Sequence, residues 1–165
     1  MKPYIKITSP RFNSFLERFS PLSKTGISNI TLFPFIISKR KMSNATEQHE
    51  AIHILQQIEC SIVSSLILLP FMFFNFKFAL LLPFLWLSSP LFVVFYAFFY
   101  IWGYMKYRGR WEETPQDFTR FKAKTLGEFA YFQIPFEQEA YSHGRTDKYL
   151  STRTPFSWMK SKYRV

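Results

Sequence analysis

The sequence predicts an all-α membrane protein: a two-helix transmembrane hairpin with an extended N-terminal arm, one amphipathic C-terminal helix and an irregular C-terminal strap. Three observations carry this expectation. Residues 61–104 form a long apolar stretch whose only charged side chain is Lys77. A helix crossing the ~30 Å hydrocarbon core needs ~20 mostly apolar residues, so this stretch is too long for one span and suits two. The flanks differ in kind: basic and polar before the stretch, charged and aromatic after it.

The predicted layout has three parts. Residues 1–43 are a basic arm, 44–108 the hairpin with helices at about 44–74 and 89–108, and 109–165 a charged, aromatic extension with a helix at about 115–133. In the arm, scattered Lys/Arg, many Ser/Thr and a single acid, Glu17, resemble an organellar targeting region. Ser9 and Pro10 suit a helix start, with Phe12, Phe15, Leu16 and Phe19 on one face and Pro21 as the stop. The apolar run 30–37 is too short to span and contains Pro34, so it reads as interfacial or packed on a partner.

The first long helix is expected to open with Asn44 as cap and Glu47 three residues on. Ala51, Ile52, Leu55, Ile58, Ile62 and Leu66 continue its stripe into the membrane, and Pro70 is tolerated there. Asn75, Phe76 and Lys77 mark a polar break. The second helix has two candidate starts: Phe78, with Pro83 and Pro90 inside it, or Ser89 as cap with Pro90 in the first helical position. The second start leaves 76–88 as a re-entrant or interfacial turn. Trp102, Tyr104, Tyr107 and Trp111 mix with Lys106, Arg108 and Arg110 where the helix leaves the bilayer. Thr114 and Pro115 open the amphipathic helix, Pro135 ends it, and the tail shows no clear periodicity.

The net charge of +10 is concentrated in the flanks. Beside an apolar stretch such a balance favours an anionic leaflet. No nucleic-acid motif accompanies it. Lys77, Lys106, Arg108 and Arg110 are therefore candidates for lipid headgroups such as cardiolipin, with snorkelling or topology anchoring as the plainer roles. The single cysteine, Cys60, excludes an internal disulfide framework.

One short motif carries chemistry. His49-Glu50-Ala51-Ile52-His53 matches H-E-x-x-H, whose histidines share a helix face and can bind zinc while the glutamate polarises bound water. Gln56 stands where the extended motif requires glycine. Third ligands would have to come from Glu59, Glu112, Glu113 or His143. The plainer reading is a polar helix start with acids at the positive end of the dipole. On that reading the chain holds no metal and no cofactor; a membrane-shaping or lipid-binding hairpin protein is the alternative function, and a small membrane zinc protease using the HEAIH stretch the remote one.

Gly103-Tyr104-Met105-Lys106, Pro115-Gln116-Asp117-Phe118 and Lys124-Thr125-Leu126-Gly127-Glu128-Phe129 resemble the C-terminal part of a small two-helix accessory subunit of mitochondrial complex I. The resemblance implies a non-catalytic structural subunit of the mitochondrial inner membrane, stabilising the membrane arm of a respiratory-chain complex. Its partners would be the other subunits of that assembly.

Overall fold

The structure, a computed structural model, describes residues 4–9, 29–113, 123–146 and 148–160. It is mostly helical and includes one long apolar helix, but it is not purely all-α. A three-stranded sheet stands where the basic arm was expected to be irregular: β1 (Ile5–Thr8), β2 (Asn29–Leu32) and β3 (Phe35–Ser38), in the order β1-β3-β2. β1 runs parallel to β3, with Ile5 opposite Phe35, and β2 runs antiparallel to it, with Leu32 opposite Phe35. The run 30–37 is thus a β-hairpin. Its Ile, Thr and Phe residues suit a pleated surface, and Pro34 sits in the turn, where a missing N–H costs no ladder bond. Ile36 and Ser38 face inward on the central strand. The arm's expected helix and its stop at Pro21 lie outside the described residues.

The sheet docks on α1 (Asn44–Phe74). The Gln57 side chain makes the junction: its Oε1 accepts from Phe33 N at 2.7 Å, and its Nε2 donates to Thr31 O at 2.8 Å. One amide thereby satisfies backbone groups of β2 that would otherwise be left at a sheet edge. Glu47 fastens β1, accepting from Tyr4 Oη at 2.8 Å and from Lys6 Nζ at 2.7 Å. Ile36, Met42 and Ile54 close a small core beneath.

α1 starts one residue earlier than its expected cap. Ser43, not Asn44, is the N-cap, and its Oγ accepts from Thr46 N at 3.2 Å. The helix then lives in two environments. Residues 51–54, 56, 57 and 59–61 are buried in protein, while Ile62, Leu66, Ile67, Leu69, Phe71, Phe73 and Phe74 are exposed. α1 is long and apolar enough to cross a membrane.

Residues 76–88 are not a bare turn. Asn75 Oδ1 accepts from Lys77 N at 3.0 Å and opens a 3-10 helix, Phe76–Leu81, that passes directly into α2 (Leu82–Ser88). These residues satisfy much of their own backbone and fold back along α1. Ser89 adopts a left-handed conformation (φ 42°), and α3 (Pro90–Tyr107) follows at 52° to the preceding segment. Together the bent pair meets the length and composition of a span. Ser89 does not cap with its side chain. Its Oγ instead bonds Gln57 O at 3.1 Å and Ser61 Oγ at 2.7 Å, pinning the bend to the middle of α1.

The C-terminal part is more ordered than a strap. α4 (Leu126–Phe132) is capped by Thr125, while Glu128 reaches back to Lys124 N at 2.7 Å. The first half of the expected helix at 115–133 lies outside the described residues. Gly103 of α3 is buried against α4, where a Cβ would meet Ala130 O at an ordinary contact distance of 3.5 Å. Pro135 does not only end a helix, because it occupies the first turn of α5 (Pro135–His143). α6 (Tyr149–Thr152) and a 3-10 turn at Ser157–Met159 complete the chain.

α5 and the tail pack against the buried half of α1 through charge as well as apolar contact. Arg153 inserts between two carboxylates. It donates through Nη1 and Nη2 to Glu59, and through Nε to Glu139 Oε1 at 2.6 Å. Glu59 also accepts from Trp158 Nε1 at 3.0 Å and Phe156 N at 2.9 Å. Cys60, Ile134, Phe136 and Trp158 form the apolar core alongside, with Phe92, Phe95 and Phe99 of α3 packed on it. Arg153→Met should therefore leave two buried acids facing an apolar side chain. The expected loss is about 3–5 kcal/mol of stability, read as a lower denaturation midpoint of the detergent-solubilised protein.

Candidate metal centre

His49 and His53 lie four residues apart on α1, so both rings leave the same face of the helix. That face looks onto α5, which begins at Pro135 and presents Glu137 within its first turn. The three side chains converge. His49 Nε2 stands 3.2 Å from His53 Nε2 and 3.4 Å from Glu137 Oε2, and His53 Nε2 stands 3.3 Å from Glu137 Oε1. Ligand atoms held about 2.0–2.1 Å from a zinc ion in a tetrahedral shell lie about 3.3–3.4 Å from one another. The two histidines reach opposite oxygens of Glu137, so with one atom from each residue the three donors lie within 4.8 Å of one another, a group that closes on an ion with a shift of the Glu137 carboxyl.

The chemistry of the donors agrees with the spacing. Two imidazole nitrogens and one carboxylate, leaving a fourth position, is a ligand set found at catalytic zinc. Glu137 is 2% exposed and His53 6% exposed. Glu137 Oε1 accepts from Tyr96 Oη at 2.9 Å. Glu137 Oε2 is buried with no hydrogen-bond partner among the described residues. A buried carboxylate oxygen in that condition is costly unless a cation or a proton-bearing group stands against it. Burial alone would raise the Glu137 pKa, but the charges and N–H groups of His53 and His49 outweigh it, so the carboxyl stays well below the usual carboxylate range. The acid is ionised and ready to ligate.

His49 is the least buried of the three donors, at 14% side-chain exposure. Its ring meets Tyr141 edge-on, with centroids 4.5 Å apart. Glu50 is outside the ligand group and accepts from Thr31 Oγ1 of β2 at 2.5 Å. The sheet, absent from the sequence-based expectation, is what orients it.

The third ligand was not among the residues considered from sequence. Glu59 belongs to the Arg153 ion pair instead. His143 stacks flat on Tyr149 with centroids 3.8 Å apart, and its carbonyl accepts from Gln48. Glu112 and Glu113 are exposed in the turn after α3. Glu137 follows His53 by 84 residues, and no spacing rule reaches that far. A helix start at Pro135 with an acid in its first turn, next to Phe136, was the available signal. The lipid candidates lie elsewhere: Lys77 is exposed beyond the end of α1, and Lys106, Arg108 and Arg110 sit at the end of α3. Lys106 Nζ lies 5.3 Å from the centroid of the Tyr107 ring.

Comparison with known proteins adds no relative: no protein-family model, curated protein or solved structure matches the chain.

Tyr96→Phe removes the hydroxyl that donates to Glu137 Oε1 and keeps the ring. Hydrogen bonds to charged groups are worth about 1.5–3 kcal/mol, and a loss of that size should appear in the denaturation midpoint of the metal-free protein.

Proposed function

We propose that this chain is a membrane-anchored, zinc-dependent hydrolase. The observation that carries the reading is the arrival of Glu137 at the H-E-x-x-H face of α1, which completes a three-donor group within 4.8 Å. Zinc suits imidazole and carboxylate donors together. When bound it would supply an activated water and polarise a substrate carbonyl.

The protein's own residues have separate tasks. His49 and His53 would hold the ion through Nε2, and Glu137 through its carboxylate. Tyr96 and the burial of α5 hold Glu137 in place. Glu50, which follows His49 in the chain and is held by Thr31, would serve as general base toward water and pass its proton to the leaving group. The bond hydrolysed would be an amide or ester. The exposed apolar band begins at Ile62, nine residues beyond His53, which places the site about 13 Å along the helix from the band. The chemistry thus takes place close to a membrane surface.

A second reading is a non-catalytic accessory subunit of a mitochondrial inner-membrane respiratory assembly, complex I by resemblance. The exposed apolar surface from Ile62 to Met105 favours it, since neighbouring helices could cover that surface as lipid would. The segment 76–88, expected as a re-entrant or interfacial turn, does not itself call for a covering partner, because its residues are helical.

Metal analysis and a peptidase assay on the detergent-solubilised protein separate the two readings. The hydrolase reading expects one zinc per chain, lost in His53→Ala and in Glu137→Ala. It also expects Glu50→Gln to keep the zinc while turnover falls about 10²–10⁴-fold. A protein that takes up no zinc and migrates only within a large membrane assembly would replace this reading with the accessory one.

A further inference from the structure

Gln56 lies one helical turn beyond His53, on the same face of α1, and is fully buried. Its Oε1 stands 2.7 Å from His53 Nδ1. Its Nε2 donates to Phe136 O at 3.1 Å and to Glu139 Oε2 at 3.0 Å. Both of those partners can only accept. Turning the amide over would set its oxygen against a carbonyl and a carboxylate, so the amide has one orientation. Its oxygen faces the imidazole, and His53 Nδ1 must carry the hydrogen that this oxygen accepts.

The consequence falls on the other ring nitrogen. In neutral imidazole one nitrogen donates and the other offers a lone pair. With one hydrogen held on Nδ1, Nε2 is the nitrogen whose proton a metal ion would replace; it stands 3.3 Å from Glu137 Oε1 and 3.2 Å from His49 Nε2. A histidine ligand whose free N–H is held by a fixed acceptor keeps both its tautomer and its ring angle. Gln56 also bonds the carbonyl of Phe136, the residue before Glu137, so the same amide sets the distance between the two helices that bear the ligands. Glu139 cannot drift away, because Arg153 and Tyr149 Oη, at 2.8 Å, hold its Oε1.

We infer that Gln56 is a positioning residue for the metal centre: its amide holds the His53 Nδ1 hydrogen, which leaves Nε2 as the ligating atom, and it sets the α1–α5 spacing. The inference rests on the metal-binding reading above and concerns how the site is preset.

Gln57 provides the control. It is the next residue on α1, is equally buried, and holds β2 rather than α5. In zinc-competition titrations of the detergent-solubilised chain, Gln56→Leu should weaken zinc binding about 10–100-fold. Gln57→Leu should lower the melting temperature and leave zinc affinity within about twofold. Wild-type affinity in Gln56→Leu, or equal weakening in both variants, overturns the inference while the metal site stands. A wild-type chain that binds no zinc overturns the site and the inference together. A measurement on the unaltered protein guards against a variant that does not fold. Long-range ¹H–¹⁵N spectra of the histidine-labelled, zinc-loaded chain should show His53 protonated at Nδ1 and ligated at Nε2. Ligation through Nδ1 refutes the role given to Gln56.

Discussion

The arrangement depends on one contact, the docking of α5 against the buried half of α1. Apolar burial supplies much of its free energy: Phe136, Ile134 and Trp158 pack with Cys60 and the aromatic face of α3. Apolar contact alone does not set a register, because greasy surfaces slide. The register comes from Arg153, which can satisfy Glu59 and Glu139 together in only one relative position of the two segments. A buried ion pair of this sort is weak evidence for stability as such, since desolvation offsets most of its attraction. Its worth is specificity, and here specificity is what matters. A shift of one residue along α5 would carry Glu137 off the histidine face.

α1 solves a second problem by changing character partway along. Its N-terminal half is surrounded by β2, α3 and α5, and tolerates buried Gln, Glu and His because each finds a partner there. Its C-terminal half carries almost no polar side chain able to bond a neighbour and exposes large apolar ones instead. Ser89 and Ser61 mark the boundary, where α3 turns away from the hairpin. A rigid helix passing from a polar, protein-lined interior into an apolar surround fixes the height of the histidines relative to that surround. Loops could not do this with the same precision, because their ends are not tied by consecutive backbone bonds.

Legibility followed the range of the signal. α1 and α3 could be read closely, since Ser43–Asn44, Asn75 and Ser89–Pro90 act within a few residues of the ends they mark. The sheet could not. Its strands are four residues long, and β1 pairs with a strand about thirty positions away, a partnership that no local period announces. The tail was misread for a related reason. α6 and the final 3-10 turn are too short to show periodicity, and what orders them is the tertiary contact of Arg153 and Trp158. At the metal centre, His49 and His53 were visible because helix geometry alone brings i and i+4 together. Glu137 and Gln56 were not, because each acquires its role only when α5 lies on α1.

Charge balance gives an independent reason to expect a cation at the centre of this contact. Glu59, Glu137 and Glu139 are all buried at the α1–α5 junction, each less than 10% exposed. Arg153 serves two of them. Glu137 is left with a tyrosine hydroxyl and two imidazoles, one of which already gives its Nδ1 hydrogen to the neutral Gln56 amide. A cluster with three carboxylates and one guanidinium is short of positive charge in a medium that penalises any excess. Protons shared between His49, His53 and Glu137 can meet that need. So can a divalent ion held by the same three side chains, with a shift of the Glu137 carboxyl that brings one oxygen to both histidines. The features that compensate Glu137 electrostatically are therefore the same ones that would make it a metal ligand.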